Sequence, residues 1–304
     1  GATFHFTGVQ SVRIATGDGN DSVNVRVDES SNQVSFKAAA DLGAGNDSFN
    51  LQVTAAQGFV PNPGYNPNVV DVSAAGSLGN DRLSASITSA TAAPAMLVPA
   101  VKIAFDGGAG DDSLSLAMNG IMLRHQMDVT YNGGDGNDTI TQDFHYNNLM
   151  AATNLNYLGG SGDDAIDTRF DATGIRSVYN APVNLNVQGG AGNDSINFAL
   201  GGTTAVQPTT DNRGDAVNPV VNVAFNFTLD GGDGNDRIAA TATVASHSPG
   251  KLNARVLGGA GDDDLTLGVS GVPTSVLQTA LIDGGDGFDT HHSSNNVTVI
   301  NCEA

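Results

Sequence analysis

Apolar and polar residues alternate along this chain in short runs, and the runs come in pairs that flank a glycine-rich segment. With the last aspartate of Gly-x-Gly-[Asn/Asp]-Asp taken as position zero, the segment recurs ten times, at Asp21, Asp47, Asp81, Asp112, Asp138, Asp164, Asp194, Asp236, Asp263 and Asp289, with Ser77 replacing the first glycine in one copy and Phe288 the Asn/Asp in another. Two residues later stand Val23, Phe49, Leu83, Leu114, Ile140, Ile166, Ile196, Ile238 and Leu265, with His291 breaking the run. Plus six is also largely apolar, whereas plus one and plus three are mostly Ser, Asn or Thr. Ahead of the loop, minus seven and minus nine are apolar, as in Ile103/Phe105 and Val129/Tyr131. Such alternation predicts strands with one buried face. Each unit therefore reads as strand, glycine loop, strand and return segment. None can bury its apolar row without a neighbour above and below.

Successive zero-position aspartates lie 26, 34, 31, 26, 26, 30, 42, 27 and 26 residues apart, so the basic unit has 26 residues and the excess is insertion. All ten prolines fall in the return segment, outside the window from minus eleven to plus six. Proline donates nothing to a sheet ladder, so its exclusion marks the paired backbone. The outward minus-ten position runs Ser11, Lys37, Asp71, Lys102, Asp128, Asn154, Asn184, Asn226, Asn253 and Thr279. In a parallel stack that row becomes a line of neighbours, first alternating in charge and then joined as stacked amides. Antiparallel hairpins would also gather the loops on one edge, but would not set minus ten beside minus ten. The expected fold is all-β: a parallel β-solenoid, β-roll-like, of about ten coils, forming a single domain over residues 1–304. At about 4.8 Å per rung the rod is about 48 Å long. Its glycine corner is fixed and its return side free.

The residue two before zero is glycine in all ten copies, and the residue four before is glycine in nine, with Ser77 the exception. Both places call for positive φ or very close backbone approach. The fullest copies, Gly107-Gly108-Ala109-Gly110-Asp111-Asp112-Ser113-Leu114-Ser115 and Gly133-Gly134-Asp135-Gly136-Asn137-Asp138-Thr139-Ile140-Thr141, match the nonapeptide G-G-x-G-x-D-x-U-x. In this the chain resembles the RTX, or haemolysin-type, calcium-binding repeat proteins. The resemblance implies a β-roll in which glycine-loop carbonyls and Asp carboxylates of stacked turns hold Ca²⁺. The departure is that nonapeptides usually run in tandem, whereas here one occurs per 26 or more residues, which implies a single row of up to about nine ions.

The candidate metal-binding residues are therefore Gly19, Asp21, Gly45, Asp47, Gly79, Asp81, Gly108, Gly110, Asp112, Gly134, Gly136 and Asp138 in the first five loops. In the last five they are Gly160, Gly162, Asp164, Gly190, Gly192, Asp194, Gly232, Gly234, Asp236, Gly259, Gly261, Asp263, Gly285, Gly287 and Asp289. Composition points the same way. The chain carries 12 Lys+Arg against 32 Asp+Glu, a formal charge of −20, and only Glu29 and Glu303 among the acids are Glu. Of the 30 Asp, 22 lie between minus six and plus one, where stacked carboxylates repel unless a cation intervenes. Ca²⁺ takes six to eight oxygens, whereas Mg²⁺ prefers compact octahedral sites and Zn²⁺ wants His or Cys clusters. The six His are scattered, His291-His292 reads as a degenerate rung, and the single Cys302 excludes an internal disulfide. Glycine and aspartate are also common turn formers, but a turn demands neither the same Asp ten times nor charge gathered on one edge.

Such acidity argues against a nucleic-acid partner, and the most apolar stretch, Ala90–Val101, is broken by Pro94 and Pro99 and is too short to span a membrane. No metalloprotease, nucleophile-elbow or phosphate-loop motif occurs. The expected role is an extracellular or cell-surface calcium-binding structural protein and no catalytic site. The alternative is a polysaccharide-modifying enzyme, or its calcium-binding accessory module, with a sugar-sized cleft and converging acids such as Asp71, Asp128, Asp143 or Asp167. Phe4 and Phe6 at one end and Val297–Val299 at the other read as uncapped strands. Asp289 to Asp21 of a following copy spans 36 residues, within the observed 26 to 42, so copies are expected to join head-to-tail into a filament.

Overall fold

The structure, a computed structural model, describes residues 10–29, 35–55, 69–89, 95–97, 100–123, 125–145, 148–149, 151–171, 181–201, 209–210, 216–217, 224–243, 251–271 and 277–303. These residues contain strands and no helix, so none forms an apolar helix able to cross a membrane. Two parallel sheets face each other. The first, of eleven strands, takes the strand before each glycine loop and ends on Thr298–Ile300; the second, of ten, takes the strand after each loop.

Register follows the predicted alignment. Minus ten pairs with minus ten from Ser11↔Lys37 through Asp71↔Lys102 and Asn154↔Asn184 to Asn253↔Thr279. All these pairings are parallel, which removes the hairpin arrangement. Ten units are stacked, yet about eight make complete turns rather than ten. The first rung, Ser11–Ala15, leaves Val12 and Ile14 only half-buried, and the last second-sheet strand is cut to Thr290–Ser293 and mostly exposed. An end rung has a neighbour on one side only, so its apolar row stays half open.

Between the sheets lies one continuous core. Minus nine, minus seven, plus two and plus six are buried in the interior coils, and plus four joins them, mostly as Leu or Ala but as Gln142 and Thr168 in two coils. Parallel stacking puts identical positions on top of each other, so aromatic columns form: Phe105 and Tyr131 stack at 5.0 Å, and Tyr157 follows at 5.5 Å. Such contacts add about 0.5 to 1.5 kcal/mol beyond area burial.

The return side is less free than expected. Ala95–Leu97, Ile121–Leu123 and Asn148–Leu149 pair into a third, three-stranded parallel sheet, and the long insertion holds a two-stranded antiparallel pair, Thr209–Thr210 with Ala216–Val217. Unbroken 26-residue spacing between Asp112 and Asp138 and between Asp138 and Asp164 lets consecutive return segments stay in step. Of the prolines, Pro182 precedes the strand Val183–Ala191 and uses its carbonyl to accept the Thr153 N–H; the other nine, like Phe4 and Phe6, lie outside the described residues.

Candidate functional site

The glycine corner stacks backbone on backbone. Minus four and minus two have positive φ in every coil, from 84° at Ser77 to 147° at Gly287. A Cβ built on any of the glycines at these two places, from Gly43 and Gly45 onward, would fall less than 3.0 Å from a backbone carbonyl of the preceding coil, and Ser77 is the one residue there that carries a side chain. Both predicted reasons for glycine, conformation and close approach, therefore hold together. Gly17 and Gly19, with no coil beneath them, keep the φ requirement alone.

Minus five behaves differently. Its glycines, including Gly107, Gly133 and Gly159, are not in the positive-φ region, yet a Cβ there would collide with two oxygens. One is Oδ2 of the zero-position Asp in the same coil; the other is the carbonyl of the next coil's minus-five residue. A carboxylate oxygen and a carbonyl oxygen from adjacent coils thus converge on the bare glycine Cα.

The zero-position aspartates form a buried column. Asp47, Asp81, Asp112, Asp138, Asp164, Asp194, Asp236, Asp263 and Asp289 are at most 3% exposed, and each is held by the backbone of the coil before it. From Asp21 to Asp263, the Asp N–H donates to Oδ1 of the next coil's Asp at 2.6 to 2.9 Å. Oδ2 of all nine buried aspartates is shielded from solvent and accepts no hydrogen bond. Leaving a buried charged oxygen unpaired is costly. Burial pushes the carboxyls of Asp112 and Asp164 up to about 7 and those of Asp194 and Asp263 up to about 6; neighbouring carboxylates add to the rise and the backbone N–H bond opposes it.

A second column, which sequence reasoning passed over, runs one residue earlier. The side chains at minus one are Asn20, Asn46, Asn80, Asp111, Asn137, Asp163, Asn193, Asn235 and Asp262, and each Oδ1 accepts the minus-one N–H of the following coil at 2.7 to 3.2 Å. This outer ladder runs opposite to the inner one. Its signal was present in the [Asn/Asp] alternative at minus one, because only a short side chain with an acceptor reaches the neighbouring backbone.

Every predicted candidate thus lies on one corner, with two distinctions at its ends. Asp21 is only half-buried, and Asp289 donates to Oε2 of Glu303 instead of to another aspartate. Among the described residues no three His, Cys, Asp or Glu side chains gather as a metal centre. From Asp81 to Asp263 each coil instead offers one unpartnered carboxylate oxygen close to a minus-five glycine carbonyl of the next coil, a hard-oxygen donor set that fits Ca²⁺ rather than Zn²⁺. His291 and His292 stand on the short terminal strand Thr290–Ser293.

A shallow groove of about 440 Å³ lies on the outer face of the first sheet, lined by Asp128, Thr130, Asn154, Asn156, Asn184 and Asn226 among others. Its one acid, Asp128, accepts from Gln126 and Asn154. Asp71 sits on the same sheet beside Lys37, while Asp143 and Asp167 are on the other sheet, so these acids do not converge. No model of a known protein family matches the chain, and no curated protein is similar enough to count as a relative.

Proposed function

We propose that this chain is an extracellular, RTX-like calcium-binding structural protein whose glycine corner takes up a row of Ca²⁺ ions. One observation carries the reading: nine buried Asp Oδ2 atoms, one per gap in a column, have no hydrogen-bond partner. A row of unpaired anionic oxygens at rung spacing is stable only if protonated or if cations lie along it. Near neutral pH a divalent cation serves this better than protons, since it also offsets the surrounding acids of a chain with net charge −20. The aspartates would supply charge, and the glycine-loop carbonyls the remaining oxygens.

Extracellular modules bind Ca²⁺ with Kd on the order of 10⁻⁴ to 10⁻³ M, so millimolar external calcium would hold the coils together while cytosolic levels would leave them loosened. The polysaccharide-modifying alternative would need acids brought together in a cleft, an arrangement absent from the described groove. Isothermal titration with CaCl₂, paired with thermal melting in calcium and in EGTA, tests the proposal. Several ions bound per chain and a large rise in Tm are expected. Failure to bind calcium, or equal melting in both buffers, would overturn it.

A further inference from the structure

The two ends of the stack differ at the glycine corner. At the first rung both ladders begin with a free valence: among the described residues the Asp21 carboxylate accepts no hydrogen bond and the Asn20 N–H finds no acceptor. Among the described residues Ser11–Ala15 and Ser22–Glu29 pair on one side only, and Ile14, Val23 and Val25 are half-buried.

The last rung is closed on its first-sheet strand and at its loop, whereas its second-sheet strand, Thr290–Ser293, is an edge strand among the described residues. Thr298–Ile300 pairs with Leu281–Asp283 and so occupies minus eight to minus six of an additional coil. Asn301, at φ 51°, sets its carbonyl against Gly284 where other coils place the next minus-five carbonyl, and its Nδ2 donates to Asp283 at 2.7 Å. The chain then omits the whole glycine loop. The Glu303 N–H donates to the Asp289 carbonyl at 2.9 Å, the bond made elsewhere by plus one of the following coil, as by Ser48 to Asp21. Its Oε2 accepts the Asp289 N–H at 2.7 Å, replacing the aspartate Oδ1 that the inner ladder would bring next. That carboxylate arrives from one residue further along the backbone, and the extra methylene of Glu supplies the reach. Phe288, in place of Asn or Asp at minus one, ends the outer ladder because it has no acceptor.

We propose that residues 294–303 are a built-in false rung that keeps a second copy of this chain off the C-terminal face of the stack. The occupant it excludes is the first rung of that copy. An Asp21 carboxylate would take the Asp289 N–H, repeating the bond made nine times within the chain, and Val12 and Ile14 would cover Ala280 and Ile282, while Val23 and Val25 would lie over His291 and Ser293. The junction would lack an outer-ladder bond at Phe288 and so be weaker than an internal rung. Head-to-tail growth is therefore gated by displacement of the false rung, not spontaneous. The inference does not depend on calcium, since salt also screens the facing acids.

Light scattering of the purified chain at about 100 µM, in millimolar calcium and separately in EGTA with 1 M NaCl, tests it. The intact chain should be monomeric. A chain ending at Ser294 and a full-length Val299→Pro/Glu303→Ala variant should both show mass that grows with concentration in at least one buffer. Adding Arg13→Pro should return them to monomer, because the Arg13 N–H points away from the stack when Val12, Ile14 and Thr16 point into it. Variants that keep their β spectrum yet stay monomeric in both buffers would overturn the proposal, as would an intact chain that polymerises equally. Should both variants unfold, the segment closes the fold rather than gating assembly, and the proposal is equally overturned. Assembly in salt alone, with no calcium bound, would sustain this inference while removing the calcium reading.

Discussion

The glycine corner is built in two ways along one chain. In the first two coils minus five is Thr16 and Leu42; in the following eight it is glycine, from Gly76 to Gly284. Where minus five carries a side chain, the first-sheet strand stops at minus six, at Ala15 and Asp41, and those loops touch neighbours through the isolated bridges Asp18↔Ala44 and Ala44↔Leu78. Where it is glycine, the strand runs on to minus three, ending at Leu78, Ala109 or Asp135. Leu42 is fully buried, so the early coils gain core there. The later coils give up that side chain to bring the carboxylate and the next carbonyl onto a bare Cα. The first glycine of the motif thus serves close approach, not φ.

The sharpest way to break this contrast is to add a methyl group on each side of it. Gly133→Ala would drive a Cβ into Asp138 Oδ2 and the Gly159 carbonyl, neither of which can move without disturbing a stacked coil. A loss of about 3 kcal/mol is expected, with the calcium response falling in step. Gly17→Ala, with open space around its Cβ and only φ 93° to strain, should cost about 1 kcal/mol. Urea melts of the two variants would measure the gap; equal losses would mean that the corner is a turn and nothing more.

Much of this was legible in the sequence, for a physical reason. A parallel stack maps each residue type onto itself, so Val129 above Ile103 and Asn184 above Asn154 appear as columns once the repeat is aligned. The strands, register, core rows and loop corner could therefore be read. What escaped was what needs direction or depth. Residue identity does not say that the minus-one and zero ladders run oppositely, nor that the carboxylates are buried rather than lining an open edge. The Glu303 clasp was hidden because it reproduces a rung without its motif. Its one hint was being one of two Glu among 32 acids. The expected Lys–Asp ladder was over-read: Lys37 meets Asp71 at 3.3 Å, but Asp128, in register with Lys102, is engaged by Gln126 and Asn154.

Removing the charge without removing the hydrogen bond sharpens the comparison. Asp138→Asn can keep an oxygen for the Asp112 N–H while replacing the unpartnered Oδ2 with an uncharged amide. In EGTA this variant should melt above the parent, because an unpaired buried charge is gone; in calcium it should melt below it, because a ligand is gone. Asp21→Asn, half-buried at the open end, should change both little. Calorimetry in the two buffers reads the crossing directly. A drop in both would assign Oδ2 a structural partner.

The pH dependence has the same root. Folding raises the carboxyls of Asp112 and Asp164 to about 7, chiefly by burial, against about 4 in an unfolded chain. Between those values the folded state binds protons that the unfolded state does not, so this contribution to stability is greatest below about pH 4 and falls as pH rises from about 4 to about 7. Metal-free protein should accordingly melt higher at pH 5 than at pH 8, and calcium should flatten or invert that trend. The shifted groups lie from Asp81 onward, so amide exchange should show the gain in the later coils.

The smallest effects belong to the minus-ten row, where early and late coils again differ. Lys37 and Asp71 form an exposed ion pair, which typically contributes less than about 1 kcal/mol and weakens with salt. Asn184 donates to Asn154 and accepts from Asn226, both at 2.8 Å, in a half-buried ladder that ends on the Asp128 carboxylate. Asn184→Ala removes both bonds and interrupts the alignment of amide dipoles, so it should cost about 1 kcal/mol with little salt dependence. Lys37→Ala should cost a few tenths and nothing measurable at 1 M NaCl. Equal losses in low salt would mean that the amide column merely decorates the sheet, and that the later coils owe their order to the glycine corner alone.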